Sequence, residues 1–147
     1  MSLITDAIFV RALRSNEELI AKLPAGDVYN TSIPVPDEDL LNAPIPYVIV
    51  TFDCLQNQDT TKDSIYEGST DRVQIGIEVV AKTRPQLGEL VETIRTTVRE
   101  FFENLPTSDD DYSLVPIEYT FTAQQVMYDP DKPAYGQTLN YQCDVEI

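Results

Sequence analysis

Thr70-Asp71-Arg72-Val73-Gln74-Ile75-Gly76-Ile77-Glu78-Val79-Val80-Ala81 runs directly into Lys82-Thr83-Arg84-Pro85-Gln86-Leu87, and these two adjoining segments decide the fold. In the first, Val73, Ile75, Ile77 and Val79 alternate with Arg72, Gln74 and Glu78, the period-two pattern of a strand with one face turned to a core. In the second the period changes. Leu87, Leu90, Val91, Ile94, Val98, Phe101, Phe102 and Leu105 fall on one stripe with 3.6-residue spacing, which predicts an amphipathic helix over about 84–104. Thr83 with Gln86 three positions on reads as a capping box, and Pro85 sits in the first turn, where its missing N–H costs nothing. Burial of each large apolar side chain contributes roughly 1.5–3 kcal/mol, so this stripe requires a sheet to cover it.

Working outward, the N-terminal segment predicts a helix in two pieces. Ser15 with Glu18 three positions on reads as another capping box ahead of a short helix from Asn16 to Lys22, and Pro24-Ala25-Gly26-Asp27 ends it. Val28-Tyr29 reads as a short strand. The stretch from Ile33 to Pro46 carries four prolines around Asp37-Glu38-Asp39 and is expected as an extended surface arm. Tyr47 to Leu55 is a strand with Val48, Val50, Phe52 and Cys54 on one face. A polar loop from Gln56 to Ser69 separates it from the deciding strand, long enough to suggest mobility or a role. Towards the C-terminus, Val115, Ile117, Tyr119, Phe121 and Ala123 share a face. Gln124-Gln125 then shifts the phase to Val126 and Tyr128, which predicts a bulge or an edge. After the turn-rich Asp129-Pro130-Asp131-Lys132-Pro133, Leu139, Tyr141, Cys143, Val145 and Ile147 alternate to the last residue. The order helix–strand–strand–helix–strand–strand predicts an α+β fold. We expect one domain over 1–147, with a mostly antiparallel sheet of about four to five strands and two main helices packed on one side.

The chain has 147 residues and a formal net charge of −15, which repels phosphates and anionic lipid heads and argues against a nucleic-acid reader or a polybasic membrane binder. It contains no histidine. The commonest general base, the Ser-His and Cys-His couples and the favoured ligand of catalytic zinc are therefore missing. No Gly-rich phosphate cradle, G-x-S-x-G turn or C-x-x-C pair occurs. The acidic runs Asp37-Glu38-Asp39, Asp109-Asp110-Asp111 and Asp129/Asp131 lack the spacing of a calcium loop and read as solvated loops. Tyr112, Tyr119, Tyr128, Tyr135 and Tyr141 have no basic surround for stacking on bases and read as sheet and interface residues. Cys54 and Cys143 read as two small buried apolar side chains, with a single cross-sheet bridge as the alternative. With no basic start followed by an apolar run at the N-terminus, and no membrane-length apolar stretch, the chain is expected to be soluble and intracellular. No cofactor, metal or catalytic residue is expected.

The helix closing on Leu13-Arg14-Ser15-Asn16-Glu17-Glu18-Leu19-Ile20, the Val28-Tyr29 strand, the proline-rich arm into Pro46-Tyr47-Val48-Ile49-Val50, the Val73–Val79 alternation and the long helix opening on Lys82-Thr83-Arg84 together resemble the tail-completion, or tail-terminator, proteins of long-tailed bacteriophages and prophages. The resemblance covers roughly residues 3–105. It implies a non-enzymatic role in the virion tail or neck. Subunits of the family form a homo-oligomeric ring, typically a hexamer, that caps the tail tube and faces the head connector, with DNA passing through unbound and no membrane involved. A ring subunit needs an exposed edge or loop to reach its neighbour, and the Gln56–Ser69 loop and the phase shift at Gln124-Gln125 are the candidates. Within the loop, Asp59 and Asp63 are the candidate lumen acids and Ile65 and Tyr66 the candidate apolar anchor. Two other readings stay open: a monomeric α+β module that binds a ligand or protein, and an enzyme that works with carboxylates alone.

Overall fold

The computed structural model describes residues 5–30, 44–57, 70–104 and 116–146. The elements are helices α1 (Thr5–Arg14) and α2 (Glu17–Ala21), strands β1 (Tyr29–Asn30), β2 (Tyr47–Asn57) and β3 (Thr70–Ala81), helix α3 (Arg84–Glu103), and strands β4 (Pro116–Ala123), β5 (Met127–Asp129) and β6 (Ala134–Glu146). They form one six-stranded sheet in the order β1-β2-β3-β6-β4, with β5 also on β6. All pairings are antiparallel except β1 on β2, where Tyr29 lies beside Ile49. The fold is α+β as expected. The sheet exceeds the expected four to five strands because the strand around residues 116–129 is broken into β4 and β5.

Chain connectivity explains the layering. β3 and β4 are each antiparallel to β6, so they run in the same direction, and α3 is the crossover that joins them above the sheet. Its apolar stripe faces β3 as the periodicity predicts. Val73, Ile75, Ile77 and Val79 are fully buried, against Leu87, Leu90, Ile94 and Val98 of α3 and Phe9 and Leu13 of α1. Thr83 caps α3, its hydroxyl accepting from the Gln86 N–H at 3.2 Å, while the Gln86 side chain accepts from the Lys82 N–H at 3.0 Å. That is the capping box with its return arm displaced by one residue.

Aromatic rings fill the end of the core nearest the α3 C-terminus. Tyr141 of β6 is surrounded by Phe9, Tyr119 and Phe121 at ring-centroid distances of 5.1, 5.5 and 5.1 Å, and Phe102 packs on Phe9 and Tyr119. Arg95 lies over the Phe121 ring at 4.7 Å.

Two local expectations are corrected. Ser15 does not cap α2: its hydroxyl donates to the Ala12 carbonyl at 2.6 Å. The cap is Asn16, whose side-chain oxygen accepts from the Glu18 and Leu19 N–H groups. Its amide also donates to Thr97 on α3 at 2.8 Å, a tie across 81 residues that a local pattern cannot reveal. The second correction is Cys54, which is exposed while Cys143 is buried; both thiols are free. A bulge between Phe52 and Cys54 adds one residue to β2, so Cys54 turns to solvent and Leu55 returns to the core side.

The helix-free face of the sheet has a small apolar cluster of its own, with Tyr47, Ile49, Val80 and Ala134 buried and Tyr29 and Ile45 packed beside them. On the same face Gly76 sits where a Cβ would come within 2.6 Å of an Asp53 carboxylate oxygen and 2.7 Å of the Thr51 hydroxyl, so glycine leaves room for these two side chains where they now lie.

Candidate functional site

Asp59, Asp63, Ile65 and Tyr66, the residues singled out from sequence, lie outside the described residues. So do the acidic runs 37–39 and 109–111, Tyr112 and most of the proline-rich arm. The other sequence-derived candidate, the phase shift at Gln124-Gln125, is present as a physical break. β4 ends at Ala123 and β5 begins at Met127. Across the gap the Gln124 N–H donates to the Thr138 carbonyl at 2.9 Å, and the Gln137 side chain donates to the Gln124 carbonyl at 2.9 Å. These bonds hold the bent chain to β6 while the phase resets.

The break has a consequence that the hydrophobic pattern does not show. β5 lies at the sheet edge, and Met127 and Tyr128 are 64% and 53% exposed, the most exposed large apolar side chains among the described residues. Tyr128 leans on its cross-strand partner Tyr135, ring centroids 4.9 Å apart. Beside Met127, on the helix-free face, is a groove of about 300 Å3 whose floor includes Val80 and Gly136. Tyr47 forms one wall, and Glu78, Asp129 and Lys132 bring charge to its rim. Lys132 turns inward, donating to the Tyr47 hydroxyl at 3.3 Å with its ammonium 5.8 Å from the ring centre. Glu78 and Asp129 have no cationic partner among the described residues, where the ion pairs are Arg14–Asp27, Lys22–Glu89 and Arg72–Asp144. Asp129 accepts from the Asp131 N–H at 3.0 Å, which shapes the turn into β6.

Gly136 helps to open the groove. A Cβ there would stand 3.7 Å from Val80, ordinary contact distance, so glycine at this position leaves floor space where a side chain would fit. Sequence reading missed this site because its signals are dispersed. A phase shift, a proline-rich turn and one glycine in an alternating strand come together only through the β3–β6–β5 pairing.

One thiol and two phenols of the core are held protonated at neutral pH. Burial, with the neighbouring Asp144 charge, pushes the Cys143 thiol up to about 12. Burial likewise raises the phenols of Tyr141 and Tyr119 above the ordinary tyrosine value. A thiol held protonated is not a nucleophile. Among the described residues, no three carboxylates or thiols converge to hold a metal ion, and no helix is long and apolar enough to cross a membrane. What the described surface offers is an exposed strand edge carrying Met127 and Tyr128 beside a groove of mixed polarity.

An α+β fold with helices on one face of the sheet, a groove on the other and a strand edge that no other described strand covers is the class this architecture defines. No family model and no curated protein matches the chain. Among solved structures, it is similar to a chain of the virion of a native gene transfer agent particle, with a TM-score of 0.54 and 13% sequence identity, covering 97% of this chain and 94% of that one. At that identity the likeness is one of fold.

Proposed function

We propose that this chain is a non-catalytic structural component of a virion, a tail-terminator-like subunit that closes into a ring of six, caps the tail tube and faces the head connector. The observation that carries the reading is the fold shared over 97% of the chain with a chain of a gene transfer agent virion. The order of elements from residue 3 to 105 supports it independently. The charge of −15 is compatible with a channel wall past which DNA slides without sticking. In this reading Asp59 and Asp63 face the lumen or the neighbouring subunit, and Ile65 and Tyr66 anchor the contact.

The test is native mass by light scattering over a wide concentration range, at low and high salt, with negative-stain imaging of any assembled fraction. A discrete species of about 100 kDa for six copies of a 16.6 kDa chain is expected, favoured by salt because like-charged subunits repel. A monomer under all these conditions, and also with tail-tube subunits added, overturns the ring. The groove at Tyr47 and Gly136 favours a second reading, a monomeric protein-binding module, which that result would leave standing.

A further inference from the structure

We propose that the outer edge of β5 and the adjoining groove dock an extended, basic segment of a different protein. The segment adds to the sheet beside β5, lays one apolar side chain against Met127 on the groove face and the next against Tyr128 on the other, and brings a lysine or arginine to the carboxylates of Glu78 and Asp129.

Three observations converge on it. The first is the state of the edge. β5 pairs with β6 on one side, and no described strand pairs with its other side, so its outward N–H and C=O groups are available to an added strand. Asp129 puts one charge on this short edge, but its other two residues are a methionine and a tyrosine, both more than half exposed. The second is the groove, which borders β5 through Met127 and Asp129 and extends over Gly136 and Val80. The third is charge. The rim carries two carboxylates without a cationic partner among the described residues, and its one ammonium is turned onto Tyr47. A second copy of a chain with net charge −15 brings like charge to like, whereas a basic strand neutralises Glu78 and Asp129 as it docks. The occupant is therefore a foreign basic segment. The proposal goes beyond the ring reading, because it concerns this edge whether or not the chain self-assembles.

The experiment is an amide NMR titration of the full chain with three short peptides: alternating lysine and valine, glutamate and valine, and serine and valine. The lysine peptide is expected to shift the amides of Met127, Tyr128, Asp129 and Gly136. It should bind at least about tenfold more tightly than the glutamate peptide, with the serine peptide between them. Neutralising the rim with Glu78→Gln and Asp129→Asn together should weaken it by about three- to tenfold. The same loss of charge on the outer face of α3, Glu92→Gln with Glu100→Gln, should change it less than about twofold. Retained dispersion of the spectra shows that each variant is folded. The proposal is overturned by shifts that map elsewhere, by absence of binding, or by equal weakening in the two charge-neutralised proteins. Broadening of the β5 amides with protein concentration alone would also overturn it, since the occupant would then be a second copy.

Discussion

Replacing Tyr141 by phenylalanine should make this protein more stable, although Tyr141 is among the largest fully buried side chains in the core. Its ring is 1% exposed and packed among Phe9, Tyr119 and Phe121. Its hydroxyl is buried and has no hydrogen-bond partner among the described residues. A hydroxyl taken from water into apolar surroundings without a partner costs about 1–3 kcal/mol in protein mutational series. Tyr141→Phe removes that cost and keeps every ring contact, at the expense of a void smaller than a methyl group. A net gain of about 1 kcal/mol is expected, or a rise in Tm of about 3–4 °C for a chain of this length. Tyr119→Phe is the control. Its ring belongs to the same cluster but is partly exposed, so a change within about 0.5 kcal/mol is expected. The assay is urea unfolding followed by circular dichroism, with the slope checked for constancy so that midpoints report stability. A loss of 1 kcal/mol or more in Tyr141→Phe, relative to the Tyr119→Phe control, would refute the reasoning, because the hydroxyl must then hold a partner that stabilises the fold.

Asn16→Ala should cost about 1.5–3 kcal/mol, since it removes the cap of α2 and the tie to Thr97 at once, whereas Ser15→Ala should cost less. Asn16→Asp, which keeps the cap and loses the donor, should cost less than Asn16→Ala; no loss of stability in Asn16→Asp by urea unfolding would show that the tie contributes nothing. Stability should also fall on the alkaline side. Below pH 9 the Cys143 thiol is protonated in both states, but between its ordinary 9.0 and about 12 only the unfolded chain releases the proton. Stability is thus lost as pH rises through that window, by up to about 1.4 kcal/mol per pH unit. The raised Tyr141 phenol acts in the same direction from 10.0 upward. Urea midpoints measured across that window should flatten in Cys143→Ala, and an unchanged slope would mean that the thiol is not the group responsible.

The alternation from Val73 to Val79 and the stripe from Leu87 to Val98 could be read directly because each is a local record of one buried face. The same holds for β6, where Leu139, Tyr141 and Cys143 are buried as their spacing predicts. Reading failed at Cys54, where the bulge between Phe52 and Cys54 reverses the faces without any glycine or proline to announce it. It failed again at Ser15, because the choice of cap between two adjacent polar residues depends on Thr97, which arrives from another helix. The candidate residues Asp59, Asp63, Ile65 and Tyr66 stand as a proposal. The phase shift at Gln124-Gln125 did announce a break or an edge, but the groove and the exposure of Met127 and Tyr128 were not foreseen, since nothing in a three-residue strand distinguishes a Met-Tyr pair that packs from one that faces water.

By itself, then, the sequence determines the fold class, the identity of the core faces and the absence of histidine chemistry, because periodicity, composition and charge are properties of neighbours along the chain. Only the tertiary structure decides which strand edge no other described strand covers and which carboxylates have no cation beside them among the described residues. β3, β5 and β6 must first be laid side by side, and strand pairing brings Glu78, Asp129 and Gly136 together from positions that share no local pattern.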